Sequence, residues 1–179
     1  LMMGPALSNH TTKAINHVNR AAGATADGAP APILAYNIAI RSTDGGESFS
    51  NPINIDGMGD PSAAMNPKEA SEISSAEMAN GDVMALVRSD ASPFMWEGRS
   101  ASGGATWGPL TRGTFPMYAC FNSMLTTRSG VTIICGRYPA ISCQLSWNSG
   151  FTWKFYTVDL SSAWAQGSLL EVETDTVLW

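Results

Sequence analysis

"RSTDGGESFS", residues 41–50, sets Asp44 beside two glycines and flanks them with serines. Such a stretch can hold a metal, cradle a phosphate or supply a catalytic acid. It can equally be a turn. Two later stretches bear on the choice: "SASGGATW" (100–107) and "SWNSGFTW" (146–153) align with "STDGGESF" (42–49). All three carry Ser at the first place, Gly at the fifth, Ser or Thr at the seventh and an aromatic at the eighth. The third place drifts from Asp44 to Ser102 to Asn148. Asn and Ser replace Asp well where the side chain bonds to the backbone of its own turn. They replace a catalytic acid badly. A calcium loop alternates several acidic ligands, and no such alternation recurs here. The stretch therefore reads as a tight turn, with Gly free to take positive φ and the aromatic packing onto a sheet.

The first serines, Ser42, Ser100 and Ser146, lie 58 and 46 residues apart. Periods of roughly 40–50 residues suit four-stranded propeller blades. The intervening segments agree. "SSAEMANGDVMALVR" (74–88) is two apolar segments around Asn80-Gly81, a hairpin signal. "FMWEGRS" enters the second turn and "TWGPL" leaves it; "CFNSMLTTRSGVTIICGR", "AISCQLS" and "TWKFYTV" repeat the scheme around the third. A further hairpin begins at "SLLEVETDTVLW". Each unit reads strand, turn, strand, strand, tight turn, strand. The first unit is less complete. "APILAYNIAI" (31–40) is a strand and "NPINID" follows the turn, but residues 1–30 do not give two clear strands. "TTKAINHVNRAAG" reads as a short helix with a Thr cap and Ile15, Val18 and Ala22 on one face. "ATADGAPAP" and Gly59–Ser71 read as loops, and there is no sign of a second domain.

Across 179 residues, 44% are hydrophobic and 14% charged, enough for one sizeable core. The net charge of −5 argues against nucleic acid or an anionic membrane as main partner, since both demand clustered Lys and Arg. An anionic small ligand needs only a few placed arginines. Cys120, Cys135 and Cys143 form neither a zinc pattern nor an even disulfide set; buried free thiols are the favoured reading, with one bridge as the alternative. No apolar run reaches the ~18 residues of a membrane span, and "LMMGPALSNH" lacks the features of a signal peptide. The chain starts on Leu1 and stops inside strand-like "TDTVLW", which reads as part of a longer protein. His10 and His17, seven apart, do not have a usual zinc spacing, and no cofactor or metal motif is found.

The three turns resemble the Asp boxes, or BNR repeats, of the sialidase superfamily. The resemblance runs from about Ala31 to the end. It implies an all-β fold, a sialidase-type six-bladed β-propeller, of which this chain holds about three blades of four-stranded antiparallel sheets in a single partial domain. It also implies boxes on the rim and an active site at the mouth of the central channel. In the family, arginines hold the carboxylate of an acidic sugar, a Tyr assisted by a Glu is the nucleophile, and an Asp is the acid/base. Paired guanidinium hydrogen bonds suit a carboxylate. On this pattern Glu72, preceding Asn80-Gly81 and Arg88, is the supporting carboxylate. Glu77 is its rival, on the opposite strand face. Arg88 and Arg137, each following an apolar strand ("MALVR", "TIICGR"), are the substrate-binding arginines.

The pattern departs at "WAQGSLLEV", where Gly167 stands at the place of the family's Tyr. Tyr118 and Tyr138 lie elsewhere, and the first arginine and the acid/base Asp have no match in residues 1–30, where Arg20 with Asp27 lacks the family's surroundings. Two readings follow: an exo-glycoside hydrolase acting on a terminal acidic sugar of glycoconjugates, and a non-catalytic carbohydrate-binding propeller. A third is a related hydrolase with carboxylates from other blades, for which Glu171 and Glu173 share a strand face. Trp164 is a candidate for stacking on a sugar. Secretion is common among sialidase-like proteins, and the resemblance implies no more than that about compartment.

Overall fold

The computed structural model describes residues 11–19, 34–55, 72–88, 94–117, 123–136, 140–159 and 167–179. All its regular elements are strands. The first sheet contains β1 (Thr11–Asn19), β2 (Leu34–Ser42) and β3 (Ile53–Asn54). The second contains β4 (Ile73–Glu77), β5 (Val83–Val87), β6 (Phe94–Ser100) and β7 (Thr111–Pro116). The third contains β8 (Ser123–Thr126), β9 (Thr132–Gly136), β10 (Ile141–Ser146) and β11 (Lys154–Asp159). A hairpin of β12 (Leu170–Glu173) and β13 (Thr176–Leu178) follows. In every sheet the spatial order is the chain order, and neighbours are antiparallel. The strand, turn, strand, strand, tight turn, strand scheme holds through the second and third units.

One expectation fails. Residues 11–19 form no helix: Thr11 to Asn19 pair residue for residue with Ser42 back to Leu34. The helical face of Ile15, Val18 and Ala22 was a local pattern of three residues. Thr11, Thr12, Ile15 and Val18 are β-branched, which suits a pleated surface, and a nine-residue ladder outweighs a weak helical preference.

Strand β5, "VMALV", is buried along its whole length because sheets cover both of its faces. Alternation sends successive side chains opposite ways. Val83 and Ala85 join Ala39 and Ile55 of the first sheet and Trp107. Met84 and Leu86 join Met95 and Phe115 of the same sheet, Met117 just after β7, and Ile134 of the third sheet. The core is thus a pair of apolar layers between successive sheets, and each fully buried Leu- or Met-sized side chain contributes about 1.5–3 kcal/mol.

The aromatic at the eighth place of the second and third turns belongs to these layers. Trp107 is 3% exposed between the first and second sheets. Trp153 packs on the layer between second and third, its ring 5.0 Å from that of Phe115. Phe49, with no earlier sheet among the described residues to meet, is 48% exposed. The aromatic therefore anchors more than its own turn: it wedges one sheet against the one before.

Cys135 and Cys143 are joined by a disulfide, correcting the preference for free thiols. They stand opposite each other on β9 and β10 with Cα atoms 4.1 Å apart, a proximity that eight residues of sequence separation did not reveal. Cys120 lies outside the described residues. In denaturant without reductant, a thiol-labelling mass measurement should find one reactive cysteine per chain, rising to three after reduction. Three before reduction would contradict the bridge.

Candidate functional site

The three tight turns share one hydrogen-bond scheme. Ser42 Oγ accepts from Gly46 N at 2.8 Å, Ser100 Oγ from Gly104 N at 2.8 Å, and Ser146 Oγ from Gly150 N at 2.8 Å. The third residue then takes the N–H of the seventh: Ser48 N to Asp44 Oδ1 at 3.0 Å, Thr106 N to Ser102 Oγ at 2.8 Å, and Thr152 N to Asn148 Oδ1 at 2.9 Å. Carboxylate, hydroxyl and amide perform the same task, as their interchange in the sequence implied. Asp44 accepts further bonds from the hydroxyls of Ser42 and Ser48.

These bonds, that of the Ser48 hydroxyl foremost and then that of Ser42, hold the Asp44 carboxyl well below the usual carboxylate range. A lowered folded-state pKa means the ionised form is favoured in the fold. Its contribution is present above the ordinary value of about 3.9 and is lost only as pH falls through the lower folded-state value. Carbon-detected NMR should show the Asp44 carboxyl still ionised at pH ~3.9, with its turn intact. Titration at the ordinary value would contradict this network.

Register places the turns and the candidate site at opposite ends. Ser100 pairs with Val83, which pairs with Glu77, so the tight turn and the β4–β5 turn lie at one end of the second sheet. Ile73 pairs with Val87 at the other, and there Glu72 and Arg88 meet. Arg88 N donates to Glu72 O at 2.8 Å, and Arg88 Nη1 lies 3.1 Å from Glu72 Oε2. Their side chains are 15% and 29% exposed, so the guanidinium is ordered at a sheet end and still reached by solvent. Glu77, the rival, is exposed at the turn end. Of the two glutamates weighed from the sequence, Glu72 is the one that meets Arg88.

Arg137 lies outside the described residues, as do Trp164, Tyr118 and Tyr138. Thr132 pairs with Ser146 as Val83 pairs with Ser100, so Gly136, the last residue of β9, corresponds to Val87.

Gly167 stands at the same end, since Leu169 N donates to Ser123 Oγ at 2.7 Å and Ser123 pairs with Cys135. A Cβ at Gly167 would run into the indole of Trp179, its Cδ1 at 2.8 Å. The space beside the backbone there is filled by that ring. Glu171, considered above as a carboxylate for other chemistry, is occupied: its oxygens accept from Arg128 N at 3.1 and 3.0 Å and from Asp175 N at 3.0 Å. It ties the last hairpin to the β8–β9 turn.

Two arginines escaped the sequence reading. Arg41 and Arg99 immediately precede the first serine of a turn, and each reaches the next turn along the chain. Arg99 Nη1 donates to Ser149 O at 2.9 Å, while its Nε donates to Glu97 Oε1 at 2.6 Å. A Cβ at Gly103 would sit 3.8 Å from Arg41 Nη2. The recurring Arg-Ser pair was the available signal. Among the described residues no group of three or more His, Cys, Asp or Glu is placed to hold a metal, and no helix is long and apolar enough to cross a membrane.

No protein-family model and no curated protein sequence matches the chain. Solved structures do. A Hadza microbial sialidase superposes with a TM-score of 0.61 at 16% identity, over 93% of this chain and 32% of its own. A protein of unknown function from Dyadobacter fermentans gives 0.59 at 17%, over 84% and 39%. A variant of the NanB sialidase from Streptococcus pneumoniae gives 0.53 at 19%, over 75% and 21%. The chain thus has a sialidase-like fold and spans from about a fifth to two fifths of the length of these structures.

Proposed function

We propose that this chain is a partial domain of a sialidase-type six-bladed β-propeller that binds a terminal acidic sugar of glycoconjugates at its channel mouth. Arg88 and Arg137 take the carboxylate, and Glu72 is the supporting carboxylate beside them. The tight turns are the Asp boxes of that propeller, set on the rim. The observation that carries this reading is the Glu72–Arg88 pair, ordered at the sheet end away from the turns. Arg137, next after β9 in the sequence, is assigned the remaining donors of a bidentate, charge-assisted grip. No cofactor is required.

Between hydrolysis and binding, the contact of Gly167 with Trp179 favours binding. A tyrosine at 167 would have to displace the indole, and glycine itself offers no nucleophile. The hydrolase reading needs its nucleophile and its acid/base from other parts of the protein.

The test pairs two measurements on the full-length protein: hydrolysis of a fluorogenic sialoside, and calorimetric binding of sialic acid. Binding without hydrolysis, weakened by Arg88→Ala, is the expected result. Hydrolysis at enzymatic rates would restore the glycosidase reading. Sialic acid binding that Arg88→Ala and Arg137→Ala both leave intact would dismiss the clamp.

A further inference from the structure

A second feature of the surface lies away from the mouth. Between the outer strands β6 and β7 of the second sheet and the third tight turn is a cleft of about 450 Å³, lined by Glu97, Arg99, Thr111, Arg112, Thr114 and Phe151, among others. That volume falls in the range of small-molecule sites.

Phe151 is the unexpected member. It occupies the sixth place of its turn, where the other two turns carry Glu47 and Ala105. Those turns close with the same serine, glycine and third-residue bonds, so the turn does not need an aromatic there. The structural wedge is Trp153, two residues on. Yet Phe151 is 65% exposed. Its ring lies against the Arg99 guanidinium, 4.9 Å from the centroid, which fixes its plane.

The charges are arranged unevenly. Arg99 is spent on Glu97 and on the carbonyl of Ser149. Arg112 is held over the Phe94 ring at 4.1 Å, and among the described residues no carboxylate lies within ion-pairing distance of it. Its position is set by a ring rather than by a counter-ion, so its five donors remain available to a ligand. Glu97 Oε1 serves Arg99, and its second oxygen can accept a hydroxyl. Two arginines and one glutamate leave the cleft one positive charge in excess.

An exposed aromatic plane, an ordered guanidinium, a carboxylate oxygen and the hydroxyls of Thr111 and Thr114 match one ligand chemistry: a pyranose ring bearing an anionic group. The apolar ring face stacks on Phe151, the anion meets Arg112, and ring hydroxyls meet Glu97 and the threonines. We infer that this rim cleft is a second binding site for an acidic sugar, independent of Arg88 and distinct from the mouth.

Calorimetry and amide NMR on the Arg88→Ala protein test the site directly, with glucuronic acid as probe and glucose as neutral control. Glucuronic acid should bind with shifts centred on Gly108, Thr111 and Gly150. Adding Phe151→Ala should weaken it about three- to tenfold, and adding Arg112→Ala about tenfold or more. Both side chains sit at the surface, and unchanged thermal unfolding will show that the fold survives. Glucose should bind at least several-fold more weakly. The inference is overturned if the Arg88→Ala protein binds no glucuronic acid. It is equally overturned if neither cleft variant weakens binding, or if glucose binds as well. Failure at the mouth is separable: it shows as Arg88→Ala changing nothing in the parent protein while the cleft variants still act.

Discussion

Replacing Trp107 with alanine is expected to destabilise the protein by about 3–5 kcal/mol, while Phe49→Ala at the corresponding place should cost less than about 1 kcal/mol. The turn motif treats the two residues as equivalent, but the packing does not. Trp107 is 3% exposed and touches Ala39 and Ile55 of one sheet and Val83 and Ala85 of the next. Its Nε1 donates to Gly104 O at 3.2 Å, so truncation leaves both a void and a carbonyl without its donor. Phe49 is already half in solvent. Urea unfolding followed by far-UV circular dichroism avoids the loss of an indole reporter. Equal costs for the two substitutions would show that the aromatic serves only its own turn.

Arg88→Ala should weaken sialic acid binding by about 10–150-fold, the span of a lost charged hydrogen bond worth about 1.5–3 kcal/mol. The Glu72 contact is the basis for this expectation. Glu72 Oε2 engages Nη1, and the backbone bond from Arg88 N to Glu72 O locks the two residues in register. The guanidinium thus reaches a substrate already oriented, which spares part of the ordering cost of binding. Glu72→Gln is the informative companion. It keeps a hydrogen-bond acceptor for Nη1 and removes the counter-charge, so affinity for a carboxylate should be retained or raised while that of Arg88→Ala falls. The pair is partly open to solvent, so stability should change little. If both variants bind sialic acid like the parent, Arg88 does not meet the ligand.

The candidate site was partly legible because its elements are local. Glu72 and Arg88 frame one hairpin, and a hairpin brings its two ends together whatever surrounds it. The rim cleft was not legible. Its lining comes from β6, β7 and a turn some forty residues on, and only sheet stacking places Phe151 beside Arg99. The same holds for β1, whose partner β2 begins only at Leu34, and for Cys135 and Cys143, whose pairing depends on the register of β9 with β10.

By itself the sequence determined the repeating unit and the task of its turns. Ser at the first place, Gly at the fifth, and Asp, Ser or Asn at the third specify a loop closed by its own side chains within eight residues, so "RSTDGGESFS" could be read as architecture from its two echoes. Tertiary structure decided what the turns carry between sheets: that Trp107 and Trp153 are wedges while Phe49 is not, that Arg99 reaches the following turn, and that the indole of Trp179 fills the place beside Gly167. Those outcomes depend on which sheet lies against which, and on contacts between residues tens of positions apart. No local periodicity encodes them, because the free energy that fixes them comes from surface buried between units.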